Sequence, residues 1–152
     1  VQYRLPSRRT LLTDALIRSV QRQAGRVVSH EVDPAQPETL VRALAELLPT
    51  GDVQREDAAA WVAFGAAAST RPWLADPYWE ALQIMRTWVE GVLADARKAG
   101  RMRADLSPAE GARLVTALVN GLALDLLNAP PTESDEVIGQ LRSGLGLILR
   151  GL

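Results

Sequence analysis

The stretch "SPAEGARLVTALVNGLALDLLN", residues 107–128, constrains the fold more than any other part of the chain. Ser107 and Glu110 stand three apart with Pro108 between them, the pattern of a capping box with proline in the first helical turn. Pro130-Pro131 ends the run. Between Arg113 and Asp125 there is no charged residue, so the helix predicted over 107–128 is apolar on nearly every side. Such a helix has to be covered on all sides. The rest of the chain must therefore supply that cover, or a second copy must.

Punctuation elsewhere is helical, and nothing reads firmly as a strand. Ser7 is a good cap for a helix over 7–23, with Leu12, Leu16 and Val20 as its apolar stripe and Gly25 as its stop. The connection "RVVSHEVDPAQ" is read as loop or helix extension, with His30 in the loop. A second helix is expected over 37–48, between Pro37 and Pro49, burying Leu40, Leu44, Leu47 and Leu48. A third follows from an Asp52 cap to Ser69, where "STRP" closes it because the residue before proline avoids helical geometry. Asp76-Pro77 reads as the cap and first residue of a long amphipathic helix to Ala99, with Gly100 as its stop and Arg86 and Glu90 as a surface pair. Thr132 is the expected cap of a last helix running to about residue 150.

The expectation is an all-α chain of about six helices. The last helix is rich in apolar residues and interrupted by Gly139, Gly144 and Gly146. An interior glycine costs a helix about 1 kcal/mol relative to alanine, a cost more plausible where another backbone comes close. A symmetric dimer in which the last two helices form a four-helix bundle with their copies accounts for both features. Its interface is expected at Leu118, Leu122, Asp125, Leu126, Val137, Leu141, Leu145 and Ile148. The other solution is a core hairpin covered by the remaining helices.

Composition removes whole classes of chemistry. There is no cysteine, hence no disulfide, thiol nucleophile or cysteine–metal site. A single histidine argues against a histidine metal site or a Ser-His-Asp triad. No Gly-rich phosphate loop is present, so no catalytic set, metal or cofactor is expected. The longest uncharged run, Ala58 to Thr70, has 13 residues, whereas a membrane span needs about 20. With no signal-peptide pattern, the protein is read as cytoplasmic. Residues 1–26 hold six arginines and one aspartate, a net +5, against −6 for the remainder. A basic end on an acidic body fits an anionic partner such as DNA; a solvated helix face is the plainer explanation.

The opening "VQYRLPSRRTLLTDAL" resembles the stretch that follows the recognition helix in tetracycline-repressor (TetR) family regulators. Tyr3, Ser7, Arg8, Leu11 and Leu12 fall at the matching places, and Leu5 stands where the family usually has phenylalanine. "WVAFGAAASTRP" and "DLSPAEGARLVTALVNGLALDLL" resemble the ligand-binding half of the same family. The resemblance implies that residues 1–6 are the tail of a DNA-binding unit whose helix-turn-helix is missing, and that 7–152 form a ligand-binding and dimerisation domain. It implies a homodimer, a small-molecule effector and an operator reached through that missing unit, with Tyr3, Arg4, Ser7, Arg8 and Arg9 near DNA.

Four tryptophans against one phenylalanine suggest where an effector would sit. Trp61 and Phe64 share one helix face, and Leu82, Met85, Trp88 and Val89 line another, the usual lining of an apolar pocket. Thr116 and Asn120, four apart, place polar groups on an apolar face that Leu124 continues. The same residues also suit a solid core, and a dimerisation scaffold or an all-α small-molecule carrier stands as the alternative.

Overall fold

The computed structural model describes residues 5–152, and the described residues form six α-helices with no strand. They are α1 (Arg8–Ser29), α2 (Glu38–Ala45), α3 (Asp52–Ala68), α4 (Pro72–Lys98), α5 (Pro108–Asn128) and α6 (Ser134–Leu145). The all-α expectation holds. Helix α5 has the bounds and the reciprocal capping box expected of it: Ser107 Oγ accepts from the Glu110 amide, and the Glu110 carboxylate accepts from the Ser107 amide.

Three helices differ from the sequence reading at their ends. Helix α1 does not stop at Gly25 but continues to Ser29. Nothing lies near the position a Cβ of Gly25 would take, so that glycine is at an open surface. The extra turn is held from outside the helix, by Val27 in the core and Arg26 paired with Asp57. Helix α4 begins at Pro72, and Pro77 lies inside it rather than starting it. Pro72 is itself at N1, where its missing N–H costs nothing. Leu74, one turn in, is buried, which holds the earlier start despite the amide missing at Pro77. Helix α6 starts at Ser134, because Thr132 bonds back to the Pro130 carbonyl, and it ends at Leu145. The chain beyond turns back on the α4–α5 connection: the Arg103 amide donates to the Ile148 carbonyl and the Arg150 amide to the Arg101 carbonyl. That turn buries Ile148 and Leu149. Two smaller shifts accompany these. Helix α2 ends at Ala45, leaving Leu47 and Leu48 buried in a turn, and Gly51 rather than Asp52 caps α3.

Helices α4 and α5 pack along one another, α3 lies on both, and α2 covers α6. The main core joins α2, α4, α5 and α6 around Leu44, Val89, Leu93, Val115 and Leu141. A smaller cluster of Leu16, Ala68 and Leu74 ties α1 to α3 and the start of α4, with Phe64 and Tyr78 against it.

Burial redistributes the residues expected at an interface. Leu126, Val137, Leu141, Leu145 and Ile148 lie in the chain's own core. Gly144 gives way to the Leu118 side chain of the same chain, which a Cβ there would meet at 2.5 Å. Close approach within one chain, not between copies, thus explains that glycine. Leu118 and Leu122 are half-buried against the core, and Asp125 is exposed. The apolar character of α5 is not fully used inside the chain: Leu114 is 52% exposed and Leu124 47%.

Candidate functional site

A cavity of about 160 Å³ lies where α1, α2, α3, α4 and α5 meet. Trp61, Leu82, Met85, Trp88, Thr116 and Asn120, all predicted from sequence, border it together. Val28 of α1 and Ile84 of α4 border it too and are mostly exposed, which marks its rim between those two helices. Three predicted residues do not join them. Val89 is sealed in the main core, Phe64 packs in the smaller cluster, and Leu124 lies on the outward face of α5.

The wall that sequence reading missed is α1. Val20, Gln23, Ala24 and Val27 all face the cavity region, and Leu44 of α2 and Leu47 of the turn after it join them. Their helical spacing was readable, but ending the helix at Gly25 cut the stripe before Val27.

The polar groups at the wall are held by specific bonds. Trp61 Nε1 donates to Asn120 Oδ1 at 3.0 Å, while its ring stacks on Tyr78 with centroids 4.3 Å apart. Gly65 makes room for this stack, since a Cβ there would lie 2.7 Å from the Tyr78 hydroxyl. Thr116 Oγ1 reaches back to the Ala112 and Arg113 carbonyls and accepts from Arg86 Nε at 3.2 Å. Arg86 also bonds Gln83 and lies over the Trp79 ring, so it does not form the pair with Glu90 expected from spacing.

Behind Gln23 is a buried acid that sequence reading did not single out. Asp57 is 2% exposed and accepts from Arg22 Nη2 at 2.7 Å, Arg26 Nη1 at 2.8 Å and Ser19 Oγ at 3.2 Å. Burial pushes its carboxyl up, but the hydrogen bonds and charges of Arg22 and Arg26 outweigh that and hold it below the ordinary value. Ser19 in turn accepts from Gln23 Nε2 at 3.2 Å. Just past the end of α1, the His30 amide caps the helix on the Val27 carbonyl, and its side chain is held, with Nε2 3.0 Å from Glu46 Oε1.

Arg22 and Arg26 are thus engaged with Asp57, which gives two of the six N-terminal arginines a structural partner. Ser7 caps α1 by accepting from the Thr10 amide, Arg8 is exposed, and Arg9 lies over the Trp73 ring. Tyr3 and Arg4 lie outside the described residues. Among those described, no group of three or more acidic or histidine side chains is placed to hold a metal, and no helix is long and apolar enough to cross a membrane.

The chain is similar in structure to solved transcriptional regulators. One from Rhodococcus sp. Rha1 superposes with a TM-score of 0.79 at 27% identity, over 96% of this chain and 76% of that one. Another, from Saccharomonospora viridis and solved in complex with choline, has a TM-score of 0.81 at 27% identity, over 97% of this chain and 78% of that one. A TetR regulator from Haloarcula marismortui shares the fold, with a TM-score of 0.75 at 15% identity over 96% of this chain and 81% of that one. No curated protein matches the sequence. The particular family follows from the sequence: residues 36–150 match the C-terminal domain of BetI-type transcriptional repressors, and the chain belongs to that branch of the TetR regulators.

Proposed function

We propose that this chain is the effector-sensing and dimerising body of a transcriptional repressor, and that the cavity between α1, α3, α4 and α5 holds a small, largely apolar effector. The observation that carries this is the cavity itself, of about 160 Å³, walled by two tryptophans and a methionine, and open at Val28 and Ile84. The choline bound to the Saccharomonospora viridis regulator supports a small molecule as the class of effector. The outward face of α5, with Leu114 and Leu124, is the proposed contact between two copies.

Helix α1 connects the two roles. It forms one cavity wall, and its N-terminal end is the proposed junction to a DNA-reading unit that contacts the operator. An effector that prefers one position of α1 shifts the population of that position. In a dimer, this alters the distance between two reading helices that must fit half-sites about 34–36 Å apart. Linkage requires that DNA and effector change each other's affinity by the same factor.

Titration of tryptophan fluorescence against a panel of small apolar compounds tests the sensing role. Saturable quenching that is lost when Trp88→Ala alters the wall supports it. Silence across the panel overturns it in favour of a scaffold without a ligand.

A further inference from the structure

The two side-chain amides at the cavity wall have their orientations dictated by their neighbours. An indole N–H only donates, so the Asn120 atom that faces Trp61 Nε1 at 3.0 Å has to be Oδ1. That leaves Asn120 Nδ2, two donors, with no partner among the described residues. On the opposite wall an ionised carboxylate only accepts, so the single proton of Ser19 goes to Asp57. Ser19 Oγ must then accept from Gln23, which turns Nε2 toward the serine and leaves Oε1 without a partner among the described residues. Gln23 is 7% exposed, and it borders the cavity as Asn120 does. Thr116, the other hydroxyl at the wall, has its proton and an acceptor site in use.

The remaining lining is apolar, and no charged side chain is part of it. An ion there would be buried without a counter-charge, whereas an amide that the occupant strips of water costs less but still favours a ligand that meets it. We propose that the occupant is an uncharged, mainly apolar molecule that offers an acceptor to Asn120 Nδ2 and a donor to Gln23 Oε1. This deepens the sensing role and rests on it. The size is also bounded, because an apolar cavity of about 150 Å³ is known to take benzene.

Probes of nearly one shape separate the terms. Cumene has neither polar group, acetophenone has the acceptor, and benzamide has acceptor and donor. Affinities are read by ligand-observed NMR titration as ratios within each protein, so that a general loss of stability cancels. Asn120→Leu removes the donors at similar volume, and Trp61→Phe is combined with it so that no indole N–H is freed; against Trp61→Phe alone, the acetophenone-to-cumene affinity ratio is expected to fall about three- to tenfold. Gln23→Met removes the acceptor at similar volume; the benzamide-to-acetophenone ratio is expected to fall by a similar factor. If either variant loses cumene, Asn120→Val, again with Trp61→Phe, or Gln23→Leu repeats the comparison. Choline is expected to bind at least about tenfold more weakly than its uncharged isostere 3,3-dimethylbutan-1-ol. Cumene binding with unchanged ratios in both variants, or choline binding as well as its isostere, overturns this inference and leaves the cavity as a sensing site. Absence of binding by every probe overturns both.

Discussion

Trp61 of α3 donates its indole proton to Asn120 of α5 at 3.0 Å, joining two helices across the wall of the cavity. The bond fixes the tryptophan that would report an occupant and the amide that would hold it. Asn120→Ala leaves the Trp61 N–H without this acceptor. The expected loss of stability is about 1–3 kcal/mol in urea unfolding, with a shift in tryptophan emission. Unchanged stability and emission would show that the bond does not form in solution.

Gly65 is a helix-interior glycine whose replacement by alanine would normally stabilise by about 1 kcal/mol. Here the sign reverses, because the added methyl would meet the Tyr78 ring and hydroxyl at 2.7–3.2 Å while that ring is stacked on Trp61. Gly65→Ala is expected to destabilise by about 1–3 kcal/mol and to change Trp61 emission. A higher melting temperature in differential scanning calorimetry would contradict the packing described.

Asp57 is the acid on which α1 and α3 converge. Asp57→Ala leaves Arg26 partly buried without its closest counter-charge, and a loss of about 3 kcal/mol is expected. Chemical unfolding measures it, and a loss under 1 kcal/mol would remove Asp57 from this role.

Among the carboxyls that shape the acid side of the stability profile are the same group and two others that are partly buried. Glu38 is lowered chiefly by hydrogen bonds from Arg142. Glu46 is pushed up by burial but brought below its usual value by Gln54, His30 and Arg26. Folded-state values below the unfolded ones mean that the folded protein binds fewer protons. Stability from these groups is therefore complete above roughly pH 5 and is lost as pH falls below about 4. Urea midpoints from pH 3 to 7 should show this slope, and Asp57→Asn should flatten it.

The outward face of α5 provides the test of association. Leu114→Glu places charge on the exposed side of α5 that also carries Leu124, without entering the core. Light scattering is expected to show a dimer for the parent chain and a monomer for the variant, with the melting temperature of the monomer fold little changed. A variant that stays dimeric moves the contact elsewhere.

Helix type, number and order were legible because they depend on local signals. Proline and serine at 107–108, the double proline at 130–131, and apolar residues three and four apart act over one or two turns. The Trp61, Met85, Trp88 and Asn120 part of the cavity was legible for the same reason, since each lies on a helix whose inward face the spacing defines. Other features depended on partners distant in sequence. Gly25 looks like a stop, but Val27 in the core and Arg26 on Asp57 carry α1 past it and so bring Val27 and Val28 to the cavity. Pro77 looks like a start, but burial of Leu74 sets the start at Pro72. Leu141 and Leu145 look like an interface, yet α2 and α5 cover them within one chain. Sequence by itself determined which segments are helical and roughly which side of each is apolar. Only the tertiary structure decided where helices end, which apolar faces meet inside one chain and which amide atoms are left unpaired, because long-range packing outweighs the roughly 1 kcal/mol that a single glycine imposes.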